Sequence, residues 1–296
     1  MNKNNNCVHF VFKVSLIFNT EKLEVDLIGK IDCNFNNCLK KVNMYNRKTI
    51  DLIANPYGLC TLPNDNLIIT YPVQNIMTLH TSDLSQIRTI ESIDYRFIQP
   101  RYLATNGRNR IYISQSDHHK ITITDLEFRL IKEIGAKGHG EMQFNYPLGI
   151  CHFEDSIFVC DSENQRIQNF NENFLYQDTF AVDFKPLSLR IINNFACIRS
   201  NSEDFVYFYS LYPFRLINKL NIFGYSAIFS TKFWFYVFDS VTKEINSYDI
   251  IGNKVDTLAI DFEDNISSKE KISFEFSNNN NLIISCRLAK KLILFF

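Results

Sequence analysis

Residues 157–171 read IFVCDSENQRIQNFN, and the architecture of the whole chain follows from them. Ile157–Cys160 is an apolar run, Asp161–Gln165 is polar, and Arg166–Phe170 alternates apolar with polar residues. That pattern is a strand, a tight turn and a second strand. The template recurs as IYISQSDHHKITITD (Ile111–Asp125) and FYVFDSVTKEINSYD (Phe235–Asp249). More divergent copies are Leu67–Thr81, Phe195–Tyr209 and Leu282–Phe296, and a seventh fits Lys30–Asn46 with one or two residues inserted before Leu39. The positions matching Asp161 are then Asn36, Tyr71, Gln115, Arg199, Asp239 and Cys286, with spacings along the chain of 35, 44, 46, 38, 40 and 47 residues. A period near 40 built from short strands is the mark of a β-propeller.

Each copy has company on both sides. Pro56-Tyr57-Gly58-Leu59, Pro100-Arg101-Tyr102-Leu103, Pro147-Leu148-Gly149-Ile150 and Pro186-Leu187-Ser188-Leu189 precede their copies at a common distance. Proline donates no ladder hydrogen bond, so it belongs where a strand begins; these segments open the innermost strands. Leu84–Ile90, Phe128–Ile134, Phe174–Phe180, Phe214–Leu220 and Lys254–Ile260 supply a fourth strand. Four antiparallel strands per repeat make a blade. The final copy stops at Phe296 without its outer strand, and the apolar run Val8–Phe18 is the expected donor, because a ring left open exposes two sheet edges. The expectation is therefore an all-β propeller of seven blades, residues 8–296, closed by 8–18 and preceded by a disordered tip at 1–7. Six blades, with residues 1–45 as an appendage, is the alternative. Asp261–Lys271 reads as a surface loop, and Asn278–Asn281 as a hairpin turn.

Composition fits a packed all-β protein and narrows its function. Aromatics are 14% and hydrophobic residues 46% of the 296 residues; the 27 Phe and 14 Tyr, with frequent Ile, favour strands. The net charge of −1 argues against a general polyanion binder. A local basic set, Arg96, Arg101, Arg108, Arg110, Lys120, Arg129, Lys132 and Lys137, is interrupted by Asp117, Asp125, Glu127 and Glu133 and reads as mixed surface. The eight cysteines are scattered, with no CxxC and no Cys–His spacing of a zinc module. Residues 8–18 are too short to span a bilayer and lack the features of a signal peptide. The expectation is an intracellular, cytoplasmic, monomeric protein with no membrane contact, no cofactor and no metal.

Gly138-His139-Gly140-Glu141-Met142-Gln143-Phe144-Asn145-Tyr146-Pro147-Leu148-Gly149-Ile150, followed by the strand to Asp161 and by Asn164-Gln165-Arg166-Ile167-Gln168-Asn169-Phe170, resembles an NHL repeat. In the neighbouring copy Gln115, His118 and Lys120 stand where Asp161, Asn164 and Arg166 do. The resemblance implies a propeller over most of the chain and a protein- or RNA-binding platform. The motif residues themselves have structural work to do. Asp161 is suited to accept backbone N–H groups, Asn164 to a left-handed turn, Arg166 to pair with Asp161, and Ile167 and Phe170 to pack between sheets.

Three functions compete. The leading one is a non-enzymatic protein–protein scaffold with an unidentified protein partner, since loops on a rigid frame collect binding residues. Its candidate surface comprises Tyr57, Arg101, Arg108, Arg110, His118, His119, Lys120, Tyr146 and Lys185. The second is a lyase- or lactonase-like propeller enzyme. The inner-strand segments offer it only His152, Arg190 and Glu275, and no catalytic motif accompanies them. The third is RNA binding through the basic residues of 96–137.

Overall fold

The computed structural model describes residues 12–18, 21–27, 47–91, 97–222, 226–260, 271–277 and 281–295. The chain divides into two units, Met1–Asn43 and Met44–Phe296. In the first, Phe12–Phe18 pairs antiparallel with Glu21–Leu27.

The second unit is a β-propeller whose described residues form six four-stranded antiparallel blades. Strands a to d run from the centre outward. Blade 1 is Leu59–Thr61, Leu67–Tyr71, Ile76–His80 and Gln86–Glu91. Blade 2 is Pro100–Thr105, Ile111–Gln115, Lys120–Thr124 and Leu130–Ile134. Blade 3 is Pro147–Phe153, Ser156–Asp161, Arg166–Asn171 and Tyr176–Ala181. Blade 4 is Pro186–Ile192, Phe195–Ser200, Phe205–Ser210 and Arg215–Asn221. Blade 5 is Ser226–Ser230, Phe235–Asp239, Glu244–Tyr248 and Lys254–Ala259. Blade 6 takes strands a to c from Ile272–Phe276, Leu282–Cys286 and Lys291–Phe295, and strand d from Arg47–Asp51. The six a strands touch their neighbours in turn, and blade 6 returns to blade 1.

Two expectations are corrected here. The ring has six blades, not seven, and its last outer strand is Arg47–Asp51 rather than 8–18. Lys291 pairs with Asp51, Ile293 with Thr49 and Phe295 with Arg47, and the Leu52 amide donates to the Lys290 carbonyl at 2.7 Å. The physical reason lies in what an outer strand is. Strand d of blades 1, 2, 4 and 5 is mostly exposed, and Arg47–Asp51 has the same half-wet, polar character. An apolar run such as Val8–Phe18 suits that position poorly. The worn copy at Lys30–Asn46, the tip at 1–7, and the segments 261–270 and 278–280 lie outside the described residues.

The core is divided among the gaps between blades. Side chains alternate along each strand, so Phe170 faces blade 2 with Phe144 and Tyr112, while Ile167 faces blade 4 with Phe180, Leu189 and Tyr207. Both roles match the sequence reading. Gly149 sits where two a strands close: a Cβ there would lie 2.6 Å from the Ser188 Cα. Gly149→Ala is therefore expected to cost about 1–3 kcal/mol through backbone displacement. Its thermal midpoint, read by calorimetry against the wild type, should fall clearly; an unchanged midpoint would show that the ring yields freely there.

Candidate functional site: the channel mouth

Because every a strand starts on the same face, the loops leading into strand a and the b–c turns share that face, which forms the mouth of the channel. The b–c turns are built alike. A single turn of 3-10 helix ends in a left-handed residue: Asn75 after Pro72–Gln74, His119 after Ser116–His118, and Gln165 after Ser162–Asn164. The left-handed residue is thus Gln165 and not Asn164. Its counterparts tie one blade to the next. Asn75 Oδ1 accepts the Gln99 amide at 2.8 Å, and His119 Nδ1 accepts the Tyr146 amide at 3.0 Å. Burial and Lys137 lower the His119 pKa, which keeps Nδ1 available as an acceptor.

Below the NHL-like turn, Asp161 is fully buried and organises the preceding loop. Its carboxylate accepts the Asn145 amide at 2.6 Å, Asn164 Nδ2 at 2.8 Å, Arg166 Nε at 2.8 Å and Gln168 Nε2 at 3.3 Å. Arg166 in turn donates to the carbonyls of His139, Gly140 and Gln143. In blade 2 the neutral Gln115 does part of this work, its Oε1 accepting the Ile98 amide at 2.8 Å. The motif is a loop anchor, and the loop it anchors delivers Tyr146.

At the mouth, four blades contribute to one cluster. The Arg101 guanidinium lies 5.2 Å from the Tyr57 ring centre and 5.1 Å from that of Tyr146, with Asp117 at 3.6 Å. Arg287, from the b–c turn of blade 6, covers Tyr57 at 4.6 Å, and Tyr102 meets the same ring edge-on at 5.3 Å. Burial opposes the Arg101 charge, but Tyr57, Tyr146 and Asp117 outweigh it and raise its pKa. Burial also raises the Tyr146 hydroxyl pKa, against the pull of Arg101. The main chain is equally constrained. Thr70 Oγ1 accepts the Gly58 amide and donates to the Arg101 carbonyl, both at 2.7 Å. Gly58 allows that approach, since a Cβ there would come within 2.2 Å of the Arg101 oxygen.

The sequence-derived surface residues divide between two faces. Tyr57, Arg101 and Tyr146 form the cluster. On the same face, His118 is exposed, His119 is the inter-blade tie, and Lys185 pairs with Glu163 at 2.5 Å. Lys120, at the start of strand c, pairs with Glu133 at 3.2 Å. Arg108 and Arg110 belong to the a–b turn of blade 2, at the opposite ends of the strands. There Arg110 donates to the Glu172 carbonyl at 2.6 Å and stacks on Phe174. Arg287, Asp117 and Tyr102 join the cluster from outside the candidate surface. Arg287 directly follows Cys286, the repeat position of Asp161, and that register was the available signal.

The channel residues named for an enzyme do not assemble into one centre. His152 Nε2 lies 3.0 Å from Glu172 Oε1, and its ring stacks on Tyr112 at 5.9 Å. Burial lowers the His152 pKa, against Glu172. Arg190 instead faces Glu275 across the channel at 3.8 Å, and Glu275 Oε2 accepts the Thr61 amide at 2.6 Å. Burial raises the Glu275 pKa despite Arg190. A cavity of about 40 Å³ lies beside them, lined by Gly58, Tyr102, Ser188, Arg190 and Ser273. Among the described residues, no three His, Cys, Asp or Glu side chains converge as a metal-binding group, and no helix is long and apolar enough to cross a membrane.

The NHL repeat family profile matches residues 144–170, which cover the end of the anchored loop and strands a to c of blade 3. Residues 144–170 thus form an NHL repeat within a β-propeller. No curated protein matches it by sequence. Among solved structures, its fold is similar to a streptogramin B lyase, with a TM-score of 0.62 and 9% identity over 85% of this chain and 97% of the other. It is also similar to a catalytically inactive variant of virginiamycin B lyase from Staphylococcus aureus, determined with quinupristin, with a TM-score of 0.60 and 11% identity over 84% and 98%. A functionally unknown protein from Desulfotomaculum acetoxidans gives a TM-score of 0.51 and 15% identity over 69% and 71%. At these identities the likeness concerns the propeller fold alone.

Proposed function

We propose that this NHL-repeat propeller is a non-enzymatic interaction scaffold that binds a protein partner across the channel mouth. The observation that carries the reading is the convergence of Tyr57, Arg101, Tyr146 and Arg287 from four blades. Tyrosine and arginine dominate the energetics of protein interfaces, and here they are pre-positioned by backbone hydrogen bonds, which reduces the ordering cost of binding. The 40 Å³ cavity beneath supports the same reading, being far smaller than the ~300 Å³ at which small-molecule pockets begin. Cys60, Cys151, Cys160, Cys197 and Cys286 are buried free thiols, which suits a reducing, cytoplasmic setting.

The test is affinity capture from the native host with quantitative mass spectrometry. Proteins recovered by the wild type should be lost with Arg101→Ala and retained with Arg108→Ala on the opposite face. The reverse dependence would overturn the assignment of the face. The His152–Glu172 pair supports a second reading, a lyase of the kind named for the structural neighbours. Incubation with quinupristin followed by mass spectrometry addresses it; the expected outcome is intact quinupristin, and its conversion would favour the enzyme.

A further inference from the structure

The charge at the mouth identifies the partner chemistry more closely. Lys271, in the loop before strand a of blade 6, is hydrogen-bonded through its carbonyl to the Arg287 amide at 3.0 Å. Burial, and after it the nearby Arg287, lower the Lys271 pKa. Arg101 and Arg287 both pack against Tyr57, with Lys271 beside Arg287. Asp117, at 3.6 Å from Arg101, is the one carboxylate among the described residues within ion-pair distance of either arginine. The Arg101 Nε is buried with no protein acceptor in reach. Both guanidinium groups pack against the same tyrosine ring, Arg101 at 5.2 Å and Arg287 at 4.6 Å from its centre.

We propose that the mouth binds an acidic peptide segment of a partner protein, its carboxylates engaging the guanidinium groups of Arg101 and Arg287 and the peptide chain lying over Tyr57 and Tyr146. Guanidinium forks match carboxylates in geometry and form strong charge-assisted hydrogen bonds, and arginine clusters are a recurring way of reading acidic motifs. The inference rests on the scaffold reading and specifies its ligand.

The experiment is phage-display selection of random dodecamer peptides on the full-length chain. Enriched peptides are resynthesised and titrated by fluorescence anisotropy against the wild type, Arg101→Ala, Arg287→Glu and Arg108→Ala, with single-stranded poly(U) RNA as a competing probe. Expected are peptides rich in Asp and Glu, weakened at least about tenfold by either mouth substitution and unaffected by Arg108→Ala. Arg287 lies in a half-exposed turn, so Arg287→Glu tests the idea even if Arg101→Ala unfolds. Enriched peptides without acidic residues that still need Arg101 would overturn the ligand while leaving the scaffold reading intact. Binding that ignores both mouth arginines and is lost with Arg108→Ala would overturn both, as would a selection that enriches nothing. Tighter, mouth-dependent binding of poly(U) would replace the peptide with RNA.

Discussion

A chain beginning at Ile53 should fail to form a stable propeller, whereas one beginning at Met44 should melt cooperatively. The two differ by little more than strand d of blade 6. Removing Arg47–Leu52 strips Lys291–Phe295 of its partner and uncovers Leu292 and Leu294, which pack with Leu52 in the seam between blades 6 and 1. Burying Leu52 alone contributes about 2 kcal/mol. The backbone pairing lost with it leaves an open edge ready to recruit another chain. The shorter chain is expected to elute as aggregate in size-exclusion chromatography, or to melt at least about 10 °C lower, given roughly 2–4 °C per kcal/mol for a domain of this size. Equal midpoints and monomeric elution would mean that the inner rings of contacts close the propeller unaided.

That same strand marks the limit of what the sequence reveals. Strands b and c of every blade were legible, because both are buried and write their alternation plainly: LIITY, IYISQ and FYVFD sit entirely or almost entirely inside. Strand d is legible only by its distance from a b–c unit, since its buried positions fall to one or none. Arg47–Asp51 has no preceding unit to count from. RKTID looks like a loop, whereas the apolar Val8–Phe18 fits a closing strand by hydrophobicity and the worn copy at Lys30–Asn46 raises the expected count to seven. The mouth divides in the same way. Tyr57, Arg101 and Tyr146 were placed on one face by their position before strand a, which is a matter of local register. Arg287 joins them because blade 6 neighbours blade 1, and that depends on the number of blades. An error in counting blades thus hides a member of the site.

The NHL motif and the mouth are mechanically joined. Asp161 fixes the Asn145 amide, and His119 fixes the next amide along, that of Tyr146. The tyrosine ring beside Arg101 therefore hangs from an anchor whose centre is a buried carboxylate. In blade 2, the corresponding loop before Arg101 is held by the neutral Gln115. Divergence between the repeats changed the chemistry of the anchor and preserved its job.

Replacing Asp161 by alanine should be among the most damaging single changes in the propeller. Four donors lose their acceptor together: the Asn145 amide, Asn164, Arg166 and Gln168. Arg166, only 14% exposed at its side chain, is left with carbonyl partners and no counter-charge. Breaking a buried pair by removing one partner costs about 3–5 kcal/mol, which corresponds to a midpoint lowered by roughly 6–20 °C. Asp161→Asn should offer only partial relief: with its oxygen turned to the three donors now on Oδ2, its amide nitrogen confronts the Asn145 N–H, and the counter-charge to Arg166 is lost. Gln115→Ala removes neutral hydrogen bonds only and should cost about 1–3 kcal/mol. Thermal denaturation of the three variants orders these effects. Hydrogen exchange on Asp161→Ala supplies a second reading: protection should be lost first in 138–146, ahead of the strands of blade 3. Uniform loss across the blade would mean that Asp161 stabilises the sheet itself. Loss confined to the loop would make the repeat motif the device that holds Tyr146 against Arg101, and so would tie the NHL motif to the proposed binding surface.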